Sequence, residues 1–213
     1  MLLYHLSAER RLLPKAQGAV LLSYRLSPSE WRGGSSWLSL AIQVAVIIDS
    51  DPAGRNKVPA VEADNQARLW WSISLRDRAI ALSRREPLQA IPAALESRIQ
   101  SLEQAELDDE VEHSIVYVPS VKRVISQLFQ LKCRLSRLLG RVIPLAFGDV
   151  PHRHQRDLSH TLQSDITYLK LDLAIWDMSR KAVIDQEVQD SCPEPIIHIY
   201  ISIFDPLLSN VTE

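Results

Sequence analysis

The chain has 213 residues, of which 46% are hydrophobic, and its formal net charge is −2 at pH 7. It can therefore bury a sizeable core, with one domain as the default and two as the alternative, and it lacks the basic excess typical of a free-standing nucleic-acid binder. Two distant cysteines predict a reducing compartment without disulfides, and no apolar run approaches the roughly 20 residues of a membrane span, so we expect no membrane contact.

The first part of the chain predicts two helices. Only six residues are glycine, and the segments between helix-breaking residues are rich in helix formers, so we predict an all-α fold. Pro14 suits the first turn of a helix, because it has no N–H to leave unpaired there, and this helix would continue over 15–26. Ser35 or Ser36 would cap the next helix, over 37–48, which is apolar nearly all round and is predicted to be buried on most sides.

The central predicted helix runs from about residue 62 to 83 and carries the most distinctive stretch of the sequence. Its apolar side chains recur at helical spacing and form one stripe, which comprises Leu69, Trp70, Ile73, Ile80 and Ala81. Asp77 lies on the same stripe, where burying a carboxylate costs free energy unless a cation pairs with it. We therefore predict an internal ion pair of Asp77 with Arg84 or Arg85. The alternative is that Asp77 lies at the edge of the stripe, in water.

A motif within this helix resembles a known family. Its residues are Arg68, Leu69, Trp70, Trp71, Arg76, Asp77, Arg78 and Pro87. The motif resembles the middle homology region of fungal zinc-cluster transcription factors, in which R-x-L-W-W, R-D-R and an Arg-Pro element close a long helix of an all-helical regulatory domain. A looser match to the same family comprises Ala19, Leu21, Leu22, Ser23, Trp37, Ala41 and Ala45. The chain departs from the family at Arg85-Glu86-Pro87, because the family has Arg directly before the proline.

Two further long helices are predicted after residue 110. One is capped by Ser120 and reaches about Val142; its apolar seam comprises Val124, Leu128, Leu131, Leu135, Leu138 and Val142. We interpret the basic residues of this helix as solvent-facing, rather than as contacts to nucleic acid or membrane. A loop from Pro144 to Pro151 precedes the other helix, whose seam comprises Leu158, Leu162, Ile166, Leu169, Leu173 and Trp176. An acidic run in 104–113 is interpreted as a solvated linker, and the apolar run 196–204 as a helix, although its composition favours a strand.

No motif for catalysis or metal binding is found. A zinc binuclear cluster needs six closely spaced cysteines, and this sequence has two cysteines, far apart. The only His-rich patch, His152, His154 and His160, is interpreted as solvated, because no acid or cysteine completes a ligand set. Phosphate-binding loops and nucleophile elbows are also missing from the sequence. We therefore predict that the chain is not an enzyme and holds no cofactor and no metal.

The resemblance implies a domain organisation and a function. It implies a helical regulatory domain over 1–195, followed by an apolar segment, 196–213, that we interpret as a truncated helix of the same domain; we expect the domain to be incomplete at both ends. The implied function is transcription regulation in the nucleus, controlling metabolic or biosynthetic genes. The implied partners are proteins of the transcription machinery or a second copy of the chain, a small-molecule effector, and DNA only through a missing zinc-cluster domain.

Two alternatives to a transcription regulator stay open. One is a helical small-molecule-binding protein or enzyme with its pocket between the long helices, since helix bundles host such sites. The other is a non-functional fragment, whose missing helices would leave apolar faces uncovered.

Overall fold

The structure is a computed structural model that describes residues 9–25, 33–50, 60–90, 111–113, 115–147 and 158–189. Five long helices occur in this part of the chain: α1 Leu12–Ser23, α2 Gly33–Ser50, α3 Ala60–Arg84, α4 Pro119–Phe147 and α5 Leu158–Gln189. Since these described residues contain no β-strand, the predicted all-α class is confirmed for them. None of the described helices combines the length and the apolar character that crossing a membrane requires.

The chain divides into two compact units. The first comprises Met1–Ala81 and Leu88–Glu103, and it includes α1, α2 and most of α3. The second comprises Leu82–Pro87 and Gln104–Glu213, and it includes α4 and α5. The predicted domain boundary at residue 195, the apolar segment after it and most of the acidic run lie outside the described residues.

In the first unit, α1 and α2 pack against each other through small side chains. Ala16 and Ala19 of α1 and Ala41 and Ala45 of α2 are buried, which allows the two helix axes to approach closely. Pro14 lies in the first turn of α1, as predicted. The expectation that α2 is buried on most sides is wrong, because its buried residues share one face and two of its apolar side chains, Val46 and Ile47, are exposed.

The central helix, α3, has 25 residues and is therefore about 37 Å long. All five apolar residues of its predicted stripe are buried, as is Trp71. The helix ends at Arg84, since Arg85 takes a left-handed conformation with φ of 56°. Arg85 N–H donates to Leu82 O at 3.3 Å, so this left-handed residue closes the last turn of the helix in the manner usual for a glycine.

In the second unit, α4 and α5 pack against each other along the apolar seam of α4. The predicted seam positions Val124, Leu128, Leu131 and Leu135 are buried, but the last two buried positions are Leu139 and Ile143. The predicted spacing follows a repeat of 3.5 residues, whereas a straight α-helix has 3.6 residues per turn. The seam therefore drifts to the next residue after about three turns, beyond Leu135.

The ends of the two long helices also differ from the prediction. The loop expected from Pro144 is wrong at its start, because α4 includes Pro144 and ends at Phe147. Pro144 lies in the last turn, where its missing N–H removes a single backbone hydrogen bond. In α5, the predicted seam residues Leu169 and Trp176 are buried, but Ile166 is 40% exposed.

Candidate functional site

The consecutive residues Arg76, Asp77 and Arg78 lie in the middle of α3 and point to different partners. Successive side chains of an α-helix are about 100° apart, so three adjacent residues reach three directions. Arg76 points to the end of α1, Asp77 to the segment after α3, and Arg78 along α3 itself. The motif thus connects α3 to two other parts of the first unit.

Arg76 binds the C-terminal end of α1. Its guanidinium donates from Nη2 to Ser23 O and from Nε to Ser23 Oγ at 3.2 Å. Its Cζ lies 4.3 Å from the centroid of the Tyr24 ring. The last carbonyls of a helix lack intrahelical partners and carry partial negative charge, so a cation at this position is favourable. Arg76 therefore caps α1 from outside that helix.

Asp77 is buried, with 1% of its surface exposed. One carboxylate oxygen, Oδ1, accepts the N–H of Gln89 at 3.0 Å, and the other, Oδ2, accepts the N–H of Ala90 at 3.1 Å. The predicted ion pair with Arg84 or Arg85 is wrong, and so is the alternative of a solvated carboxylate. Burial raises the pKa of Asp77, against the smaller opposing effects of the two N–H donors and of the Arg78 charge.

Arg78 is also buried, with 5% of its surface exposed. Its positive charge acts to lower the pKa of Asp77. Its Nη1 donates to Ser74 O at 3.1 Å, one turn earlier in α3. A buried guanidinium beside a buried carboxylate offsets part of the desolvation cost of each. This hydrogen bond of Arg78 thus stays within α3, and its guanidinium supplies a compensating charge for Asp77.

The two tryptophans of the motif belong to the core of the first unit. Trp70 Nε1 donates to Asp49 Oδ2 at 2.9 Å and so joins α3 to the end of α2. Trp71 is also buried, and its Nε1 has no hydrogen-bond acceptor among the described residues. Both side chains are therefore core residues, too buried to form a platform on which bases could stack.

The remaining motif residues have less central positions. Leu69 is buried, and Arg68 and Arg84 are half-buried. Arg85 and Pro87 are exposed and lie in the turn that follows α3. The predicted motif therefore has buried or half-buried residues that make the contacts described above, and exposed residues, Arg85 and Pro87, at its end.

We call the set Ser23, Arg76, Asp77, Gln89 and Ala90 the clasp. It joins α1, α3 and the segment after α3, and both Asp77 oxygens already accept hydrogen bonds within it. Asp77 is therefore engaged as a structural acceptor rather than poised as a base. In the part of the chain that the structure describes, no group of three His, Cys, Asp or Glu side chains could hold a metal ion.

The second unit has a shallow groove between α4 and α5, with a volume of about 300 Å³. Its lining residues are Leu131, Arg134, Arg137, Leu138, Asp172, Ile175, Trp176 and Ser179. Trp176 Nε1 donates to Leu131 O at 2.8 Å, which fixes the indole ring as part of the floor. At one side Asp172 Oδ2 accepts from Arg141 Nη1 at 3.2 Å.

Sequence reasoning did not identify two members of the clasp, Gln89 and Ala90. They act through main-chain N–H groups, which every residue except proline carries, so the sequence contains no signal for them. Ser23 lies in the looser family match, but its contact with Arg76 was not predicted.

Comparison of the chain with protein-family models, with curated proteins and with solved structures finds no match in any of the three. The function is therefore inferred from the motif and from the contacts that its residues make.

Proposed function

We propose that this chain is the regulatory domain of a transcription factor of the fungal zinc-cluster type, which acts in the nucleus on metabolic or biosynthetic genes. The observation that carries the proposal is the coincidence between the motif and the packing of the first unit. Arg76, Asp77 and Trp70 stand out in the sequence for their family resemblance, and each of them connects α3 to another segment.

A regulatory role also fits the chemistry of the described residues. Arg76, Asp77 and Arg78 are engaged in structural contacts, and the net charge of −2 does not favour binding to phosphate backbones. On this proposal, DNA contact comes from a separate zinc-cluster domain. The domain in this chain would act through proteins of the transcription machinery, through a second copy of itself or through a small effector.

Sequencing of the full-length transcript from this locus tests the family assignment. We expect an in-frame segment with six closely spaced cysteines, since such a cluster holds two zinc ions in tetrahedral thiolate sites. A transcript that joins this chain in frame to a catalytic domain, with no such cluster, would contradict the assignment.

A second candidate function is the binding of a small molecule, and the groove between α4 and α5 favours it. The volume of the groove, about 300 Å³, is at the lower end of the range of roughly 300–1,000 Å³ for small-molecule sites. Such binding is compatible with a regulator that responds to an effector.

A further inference from the structure

We propose that the groove between α4 and α5 is a binding site for a small amphipathic anion, with an apolar body and one carboxylate or sulfonate group. The proposal rests on the geometry and charge of the groove, not on the proposed role in transcription. Either one can therefore fail while the other holds.

The floor of the groove suits an apolar body. Leu131 and Leu138 of α4 face Ile175 and Trp176 of α5 across it. Because the Trp176 N–H is bound to Leu131 O, the indole offers its apolar surface rather than a free donor. A flat or chain-like apolar group bound here would be removed from water, which is favourable in proportion to the apolar area buried.

The size of the groove favours a small molecule over a partner helix. The lining residues span 131–138 of α4 and 172–179 of α5, which is about 10 Å along each helix at 1.5 Å per residue. A helix bound in a groove is anchored over several turns, at i, i+3, i+4 and i+7. The groove accommodates instead a ligand of about two fused rings and a short side chain.

The charge of the groove selects an anion. Arg134 and Arg137 both lie in its lining. Arg137 is engaged by a partner, whereas Arg134 is exposed and has no hydrogen-bond or ion-pair partner among the described residues. Asp172 is the carboxylate of the lining, and Arg141 already neutralises it. Arg134 therefore offers a positive charge to a ligand in the groove, and a guanidinium can bind a carboxylate or sulfonate through two parallel N–H donors.

Two matched probes test the proposal by calorimetric titration of the full chain: naphthalene-1-acetate, an anion, and 2-(1-naphthyl)ethanol, its neutral analogue. We expect the dissociation constant of the anion to be about tenfold lower than that of the alcohol, as one hydrogen-bonded charge pair can supply. Arg134→Gln should remove that difference and leave alcohol binding unchanged. Arg123→Gln, an exposed arginine of α4 outside the groove, should change neither.

A change in the floor separates the groove from other apolar surfaces. Ile175 is 48% exposed, so Ile175→Gln should preserve the fold, which circular dichroism checks, and weaken both probes alike. Equal affinity for acid and alcohol, an unchanged affinity for the acid in Arg134→Gln, or unchanged binding in Ile175→Gln would each overturn the proposal. Failure of both probes to bind at about 1 mM, the weakest affinity worth considering, would overturn it as well.

Discussion

At the scale of single residues, Asp77 is held by backbone amides rather than by a cation. Each carboxylate oxygen accepts one N–H, from Gln89 and from Ala90, in a buried environment. Hydrogen bonds from amides to an ionised carboxylate are shorter and stronger than neutral ones. The same contacts fix the direction in which the chain leaves α3, so a single buried charge determines a local path of the backbone.

Asp77→Ala is expected to lower the free energy of unfolding by about 3–5 kcal/mol, because it leaves the buried N–H of Ala90 and the partly buried N–H of Gln89 without acceptors and the buried Arg78 without its compensating charge. Urea unfolding at pH 7 measures this change. Asp185→Ala is the matched control, since Asp185 is exposed and a surface substitution changes stability by about 0.5 kcal/mol or less. If Asp77→Ala stayed within that same limit, the clasp would not stabilise the first unit.

The pKa of Asp77 predicts how stability changes with pH. The folded-state pKa lies above the ordinary value of 3.8, with burial as the main cause, so the folded state binds the proton more tightly than the unfolded state does. The contribution of Asp77 is therefore fully present below the unfolded-state pKa and decreases as pH rises through the folded-state pKa. The difference in unfolding free energy between the natural chain and Asp77→Asn should shrink from pH 4 upward. A difference that grows with pH would contradict this sign.

Arg85→Gly is expected to raise the free energy of unfolding, by up to about 1 kcal/mol, because glycine adopts the left-handed conformation without the steric cost of a Cβ. Part of the gain is offset by the greater freedom of glycine in the unfolded chain. Thermal unfolding measures the shift. Arg85→Ala keeps the Cβ and should leave stability nearly unchanged, so equal effects of the two substitutions would assign the change to the lost side chain instead.

At the residue scale, the sequence predicted which residue is unusual but not what it binds. Asp77 stood out because it interrupts an apolar stripe, and its burial follows from that position. Its partners could not be predicted, since main-chain N–H groups are common to all non-proline residues and only the three-dimensional path of 88–90 brings two of them together.

At the scale of helices, α1 and α2 lie in close contact where α1 ends. A Cβ on Gly34 would lie 2.9 Å from Ser23 O, and 3.5 Å from Arg76 Nη2. The first turn of α2 thus passes against the capped end of α1, and the glycine makes room for the contact between Arg76 and Ser23.

Gly34→Ala is therefore expected to lower the free energy of unfolding by about 1–3 kcal/mol, the usual cost of overpacking. Inside a helix this substitution normally raises stability by about 1 kcal/mol, because alanine has the higher helix propensity. Chemical denaturation distinguishes the two effects by sign. A more stable variant would show that the backbone of α1 relaxes away without cost.

The sequence predicted the helices themselves better than their ends and faces. The stripe of α3 is buried as predicted, because five apolar residues on one face of a helix strongly favour turning that face to the core. The seam of α4 moved by one residue after Leu135, since the difference between 3.5 and 3.6 residues per turn accumulates along a helix of 29 residues. Pro144 did not stop α4, because a proline in the last turn removes only one backbone hydrogen bond.

At the scale of the whole molecule, each compact unit has its own organisation. The first unit is joined by polar contacts at helix ends, from Arg76 to Ser23 and from Trp70 to Asp49, in addition to its apolar core. The second unit consists of a seam between α4 and α5 with the groove beside it. The polar contacts of the clasp stabilise the first unit, and the groove of the second unit is the proposed ligand-binding site.

The candidate site was only partly predictable at this scale. The motif in α3 pointed to residues that make the main contacts of the first unit, because tryptophans and charged residues at fixed spacing form a specific pattern. The groove was predicted only as a pocket between long helices. Its lining depends on which faces of α4 and α5 meet, and the drift of the α4 seam changes those faces.

A reporter assay tests the proposed function most directly. The chain is fused to an unrelated DNA-binding domain, and transcription is measured from a promoter that carries the matching site. We expect the fusion to change transcription relative to the DNA-binding domain alone, Asp77→Ala to abolish the change by disrupting the first unit, and Asp185→Ala to preserve it. A fusion that is expressed, folded and bound at the promoter, yet leaves transcription equal to that of the DNA-binding domain alone, would contradict the assignment as a transcription regulator.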